Sequence, residues 1–199
     1  MTAAGNRGRC FAVRVAAGVF ALAVAAIVPA ADDPLLEESR DLTSRFGAEL
    51  KSALQAAMAA GGPIEAIAVC KDRAPQIASQ LSRESGAAVG RTSLRVRNPR
   101  NLPAEWQARV LREFDAAGGQ APASALESLD RGDDGTVRYM KAIPTGGLCT
   151  ACHGTQISPE VRALLDEHYP HDRARGYEVG DIRGAFSVVW PADATDGTR

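Results

Sequence analysis

The chemistry in this chain concentrates at Cys149-Thr150-Ala151-Cys152-His153, although the protein has only four cysteines and three histidines in 199 residues. Cys-x-x-Cys-His is the attachment pattern of c-type haem. Its spacing follows from the reaction: each thiol adds to one haem vinyl group, and the adjoining histidine then lies beneath the porphyrin as proximal iron ligand. Three other uses of these residues compete. A thioredoxin-like redox pair needs a parallel βαβ setting, and none surrounds the motif. A structural disulfide between Cys149 and Cys152 would suit an exported protein. Zinc could take Cys70, Cys149, Cys152 and His153 as a Cys3His set. The adjacent Cys152 and His153 would be strained around a tetrahedral ion, however, and a second Cys-x-x-Cys knuckle is missing. The following Gly154 and an export signal favour one covalent haem c.

A second axial ligand is then required. No methionine lies beyond Met140, whereas electron-carrying cytochromes c normally place theirs after the motif. Met58 and Met140 sit in a helix stripe and a strand and read as core packing. His168 and His171 lie in a polar stretch and read as surface residues. Cys70 remains, at the end of "IEAIAVC". That segment is also an apolar helix face on which a free cysteine packs as a small hydrophobe, so core packing and axial ligation both stay open.

Residues 1–30 read as an export signal: Arg7 and Arg9 precede an apolar run, and "VPA" ends in small residues at Ala30. The uninterrupted run from Val15 to Val28 is short of the ~20 residues a membrane span takes. An uncleaved anchor is the alternative, and no later segment reads as a span, so the mature protein is not expected to be an integral membrane protein. Cleavage removes Cys10 and leaves three cysteines, so one is unpaired whatever the other two do. It also lowers the basic residues from 23 to 20 against 24 acidic ones, a formal charge of −4, which speaks against nucleic acid as a partner.

Residues 31–199 form one domain, large enough to bury its own core. Leu42, Phe46, Leu50, Leu54 and Met58 recur every fourth position, predicting an amphipathic helix from Pro34 to Ala60 that Gly61, Gly62 and Pro63 stop. A second helix starts at Pro63, carries Ile64, Ile67 and Cys70, meets Pro75, and continues through Ile77 and Leu81 to Gly86. Val89–Val96 predicts a strand and "NPRNLP" a turn. Trp106, Val110, Phe114 and Ala117 mark a helix from Pro103 ended by Gly118 and Gly119. "ALESL" and "TVRYMKAI" flank "DRGDDG" as two strands and a turn, with Val137, Tyr139 and Ile143 on one face. Ser158 and Pro159 start a short helix running to about Tyr169, and "GAFSVVW" closes as a buried strand. The order predicts an α+β fold, an antiparallel sheet carrying helices.

The segments "AIAVC", "GRTSLRVRNPRNLPAEW", "CTACHG" and "YPHDRARGYEVGDIRGAFSVVWP" together resemble the PAS-like periplasmic c-type haem proteins, a family long filed as a domain of unknown function. Its type member is a cyanobacterial c-type cytochrome with His/Cys ligation. The resemblance spans roughly Glu38 to Pro191. It implies a PAS-like fold with a central antiparallel sheet and a long N-terminal helix. It also implies that the iron is held by His153 and Cys70. Arg91 and Arg97 fall within the resembling "GRTSLRVRNP" and are candidate partners of the haem propionates, since a guanidinium forks onto a carboxylate. Tyr177 reads as a core tyrosine that could line the pocket.

A thiolate is a soft anionic donor that favours ferric iron and is weakened as a ligand by reduction and protonation. Two roles follow: a redox or gas sensor, with a separate partner protein carrying the output and a small gas as ligand, or a low-potential periplasmic electron carrier. An oxygenase or peroxidase is not expected, because two protein ligands leave no open position on iron.

Overall fold

The computed structural model describes Met1 and residues 33–118 and 122–195. The export signal and Gly119 therefore lie outside the described residues.

Helix α1 runs Pro34–Ala68, with Asp33 accepting the Leu35 N–H at its start. Helical dihedrals fail at Gly61 and Gly62, the latter at φ +70°, where only glycine is unstrained. The break falls where the Gly-Gly-Pro run predicted it, so two helical pieces meet end to end. The chain then passes through a π-turn, Val69–Arg73, into α2, Ala74–Ser85. Pro75 explains the wide turn: it has no N–H to give, and its ring crowds the carbonyl four residues back. The backbone accommodates it by letting the Ala74 N–H reach the Val69 carbonyl. Cys70 rides on that turn.

The sheet holds β1 (Ala88–Thr92), β2 (Glu127–Arg131), β3 (Val137–Pro144) and β4 (Ile182–Trp190) in the order β1-β4-β3-β2, every pairing antiparallel. Helix α3, Glu105–Ala117, covers one face; α4 is the short Thr150–His153, and α5 is Pro159–His168. Strand alternation sorts β3 to two cores. Val137 and Tyr139 join Val188 and Trp190 beneath Leu42, Phe46, Ile77 and Leu81, while Met140 and Ala142 face Val110, Leu111 and Phe114 of α3. The Trp190 indole N–H inside the first core donates to Ser39 Oγ at 2.8 Å, so this buried donor is paired. A third cluster, Ile157, Val161, Leu165 and Tyr169, packs α5 against Ile67 of α1.

The α+β expectation holds, and so do the predicted helices and hairpin. The first strand is shorter than predicted and stops at Thr92 instead of Val96. Side chains take the hydrogen bonds beyond that point: the Thr92 hydroxyl donates to the Asn101 carbonyl at 3.1 Å and the Ser93 hydroxyl to the Arg183 carbonyl at 2.7 Å. Arg95 and Arg97 thus sit on a loop, and the Val96 carbonyl accepts the N–H of Arg173. By length and composition alone the helical stretch Pro34–Ser85 could cross a membrane, contrary to the sequence reading. Here it packs Leu42 and Phe46 into the core, and it is broken at Gly61–Gly62.

Glu127 fastens the edge strand β2 to α1. Its carboxylate accepts from Arg40 at 2.5 Å, Tyr139 at 2.7 Å and Lys141 at 3.3 Å. The Arg40 bond foremost, with Tyr139 and Lys141, holds its pKa at about 2, against burial. A depressed carboxylate stabilises the fold above its unfolded pKa of ~4.3, and that contribution fades as pH falls towards the folded value. Glu127→Gln should therefore remove about 1–2 kcal/mol at neutral pH. It should also flatten the loss of stability between about pH 4.3 and 2, read from urea midpoints across that range.

Candidate functional site

The stripe of α1 changes role along its length. Leu42 and Phe46 are core residues, but Leu54 and Met58 are only half-buried and line a cleft. Met58 is thus not the core residue its spacing suggested, whereas Met140 is fully buried, as expected. The space in and before the cleft, open solvent included, is about 560 Å³. Ala66, Ile67 and Leu148 complete its apolar wall, and Cys149 and Cys152 stand at it. A polar cavity lined by Thr92, Ser93, Asn98 and Asn101 adjoins it. The two share Cys70, Arg91, Arg97, His153, Tyr169 and Arg183. Each of the six residues singled out in the sequence lines this compound site, and Cys70 faces it from the π-turn instead of disappearing into the core.

The motif is built locally. A 3-10 turn, Gly147–Cys149, feeds directly into α4, whose single turn ends at His153. Cys149 and Cys152, three apart on this helical run, face one way, and His153 follows four after Cys149. Gly154 then turns out extended, and a Cβ there would meet the Thr150 carbonyl oxygen at 2.5 Å. Backbone does not yield like a side chain, so Gly154→Ala should cost about 1–3 kcal/mol in denaturant unfolding. The Gly154 and His153 carbonyls accept the N–H groups of Gly176 and Tyr177, pinning the turn to the following loop.

His153 is buried. A carbonyl only accepts, so the 2.7 Å contact with Ala174 O means that Nδ1 carries the proton and Nε2 keeps a lone pair. Burial, with the Arg183 and Arg97 charges, pushes its pKa well below the usual histidine value, and the imidazole stays neutral as a ligand must be. Tyr177 is buried, edge-on to the His153 ring at 6.4 Å, and lies under the Arg95 guanidinium at 3.8 Å. His168 and His171 are exposed, as expected. Burial raises the Cys152 pKa, which keeps its thiol protonated.

The arginines divide into matched and unmatched. Arg97 pairs with Asp172 at 3.1 Å and donates to the Cys152 carbonyl at 2.5 Å; Arg175 pairs with Asp172 and Asp166. Among the described residues no carboxylate pairs with Arg91, and burial and Arg183 pull its pKa down to about 10. Arg183 too pairs with no carboxylate among the described residues, and its Nε, like that of Arg97, is buried without a hydrogen-bond partner. Sequence reasoning missed Arg183, whose signal was a lone arginine in the apolar "GDIRGAFSVVW".

A haem fits this donor set. The apolar wall would suit its ring, the two thiols its vinyl groups, and Arg91 and Arg183 its propionates. Cys70, Cys149 and Cys152 are free thiols in this structure, and among the described residues no three His, Cys, Asp or Glu side chains lie close enough together to hold one metal ion.

The Tll0287-like family model matches residues 23–191. The crystal structure of the cyanobacterial heme-protein Tll0287 superposes with a TM-score of 0.59 at 26% identity, covering 79% of this chain and 92% of that one. No curated protein matches.

Proposed function

The chain belongs to the Tll0287-like family, and from that premise we propose that it is an exported haem protein: a monohaem, c-type cytochrome-like redox or gas sensor. The similar cyanobacterial protein is a heme-protein, which supports haem binding here. The observation that carries the reading further is the convergence of Cys149, Cys152, His153 and Cys70 on one cleft with two unmatched arginines.

Bound there, the haem supplies a one-electron iron couple. Cys149 and Cys152 would hold it through thioethers, each thiol adding across one vinyl group. His153 Nε2 and a Cys70 thiolate would serve as ligands to its iron. Arg91 and Arg183 would balance its propionates, and Arg97 would steady the turn that carries His153. Cys70 stands on a π-turn, a wider and less regular hydrogen-bonding pattern that is common at functional sites. A thiolate there would favour ferric iron and be weakened as a ligand by reduction and protonation, the chemistry a redox or gas sensor needs. This combination supports a sensor, with a separate protein carrying the output, and makes a catalytic role unnecessary. The apolar N-terminal run and the covalent attachment chemistry support a periplasmic location. With a formal charge of −4 after cleavage, the partner is a protein and not nucleic acid.

Absorption spectra test this on protein matured with a haem-attachment system, as ferric protein, after dithionite, and after dithionite under carbon monoxide. Covalent haem whose reduced form binds carbon monoxide is expected. Covalent haem that stays six-coordinate and inert to the gas would make the protein an electron carrier. The absence of covalent haem would overturn the cytochrome reading.

A further inference from the structure

Residues 172–175 hold His153 from behind, and haem attachment alone does not call for their arrangement. The Asp172 carboxylate, 1% exposed, is the hub. Its Oδ1 accepts the Ala174 N–H at 2.9 Å, and its Oδ2 accepts from Arg175 Nε at 2.8 Å and faces Arg97 Nη2 at 3.1 Å. The first bond is an Asx-type turn, which fixes the loop. In that loop the Ala174 carbonyl accepts the hydrogen bond of His153 Nδ1–H at 2.7 Å. The second arm runs through Arg97, which donates to the Cys152 carbonyl at 2.5 Å, one residue from His153, and places Nη1 3.5 Å from Nε2. Burial works against the Asp172 charge, but the bonds from Arg175 and Arg97 more than offset it and keep the carboxylate ionised. The exposed end of the network is Asp166, which pairs with Arg175 at 2.5 Å and has a side chain 60% exposed.

Resting on the haem reading above, we propose that Asp172 is a positioning residue that sets the plane and the basicity of the proximal histidine through Ala174 and Arg97. Histidine ligands characteristically donate their second ring N–H to an acceptor that fixes the tautomer and strengthens the ligand, and loss of such a partner typically costs 10–100-fold in affinity. Here the acceptor is a backbone carbonyl, so the carboxylate acts one step removed by holding that carbonyl in place. Asp172→Asn keeps one acceptor for Ala174 but cannot serve both guanidinium groups, and it removes a buried negative charge near the iron site.

The experiment compares the haem-loaded full chain with Asp172→Asn, Asp172→Glu and Asp166→Asn, reading the reduction potential and the ferric electron paramagnetic resonance. The resonance anisotropy reports the orientation of the axial ligand plane. Asp172→Asn should raise the potential and change the anisotropy. Asp172→Glu keeps the charge but shifts the arm, so it should change the anisotropy with little effect on potential; it carries the test if the asparagine variant fails to fold. Asp166→Asn should alter neither. Wild-type spectra and potential in both Asp172 variants would overturn the proposal, as would an equal shift in Asp166→Asn, which would mean that bulk charge alone is at work. Absence of covalent haem in the unsubstituted protein would instead overturn the haem reading, and that is settled before any variant is made.

Discussion

Replacing Cys149 and Cys152 together by serine is expected to reduce covalently held haem from one per chain to none. The check is the haem signal that survives a denaturing gel, with the pyridine haemochrome as the quantitative form. A serine hydroxyl does not add across a vinyl group as a thiol does, so no thioether forms, whereas His153 and the cleft remain. The fold itself should survive. Its cores are Leu42, Phe46, Tyr139 and Trp190 on one face of the sheet and Leu111, Phe114 and Met140 on the other, none of which touches the motif's chemistry. Non-covalent, dissociable haem in the variant would fit the reading; haem that still survives denaturation would refute thioether attachment at these cysteines.

Cys70→Ala carries the second large effect. A thiolate stabilises ferric iron, so its loss should raise the reduction potential by on the order of 0.1–0.3 V, within the ~0.8 V over which axial ligands tune haem. The ferric thiolate absorption bands should vanish at the same time. Spectroelectrochemical titration reads both. An unchanged potential would return Cys70 to the role of a packing residue and end the redox-gated ligand release proposed for it. Stability is the informative control: Cys70 is only half-buried, so truncation to alanine should cost less than the ~2–5 kcal/mol seen when fully buried large aliphatic side chains are cut back.

The two substitutions differ in how legible their residues were. Cys149, Cys152 and His153 lie within one helical turn, so spacing alone states their chemistry. Cys70 lies 79 positions before Cys149, and from the residues alone core packing was the stronger reading. Its pairing with His153 came from a family resemblance; what places it at the cleft is the π-turn that Pro75 forces. Met58 erred the other way. It continues a perfect fourfold stripe, but where Leu42 and Phe46 pack against the sheet, Leu54 and Met58 are half-buried and line the cleft.

Local physics was readable from the chain because it is local: the Gly61-Gly62-Pro63 break, the hairpin around Gly135, the Ser158 cap, and the α+β order all depend on neighbours a few residues apart. The same holds for the haem motif. The tertiary structure decided the electrostatics. Whether an arginine is matched depends on which carboxylates fold against it, and sequence does not reveal that Arg97 meets Asp172 while, among the described residues, no carboxylate pairs with Arg183. It also decided where β1 ends, because the Ser93 hydroxyl finds its acceptor 90 residues away at Arg183. A site made of charges and long-range hydrogen bonds exists only once distant segments share a volume, and only the fold determines which ones do.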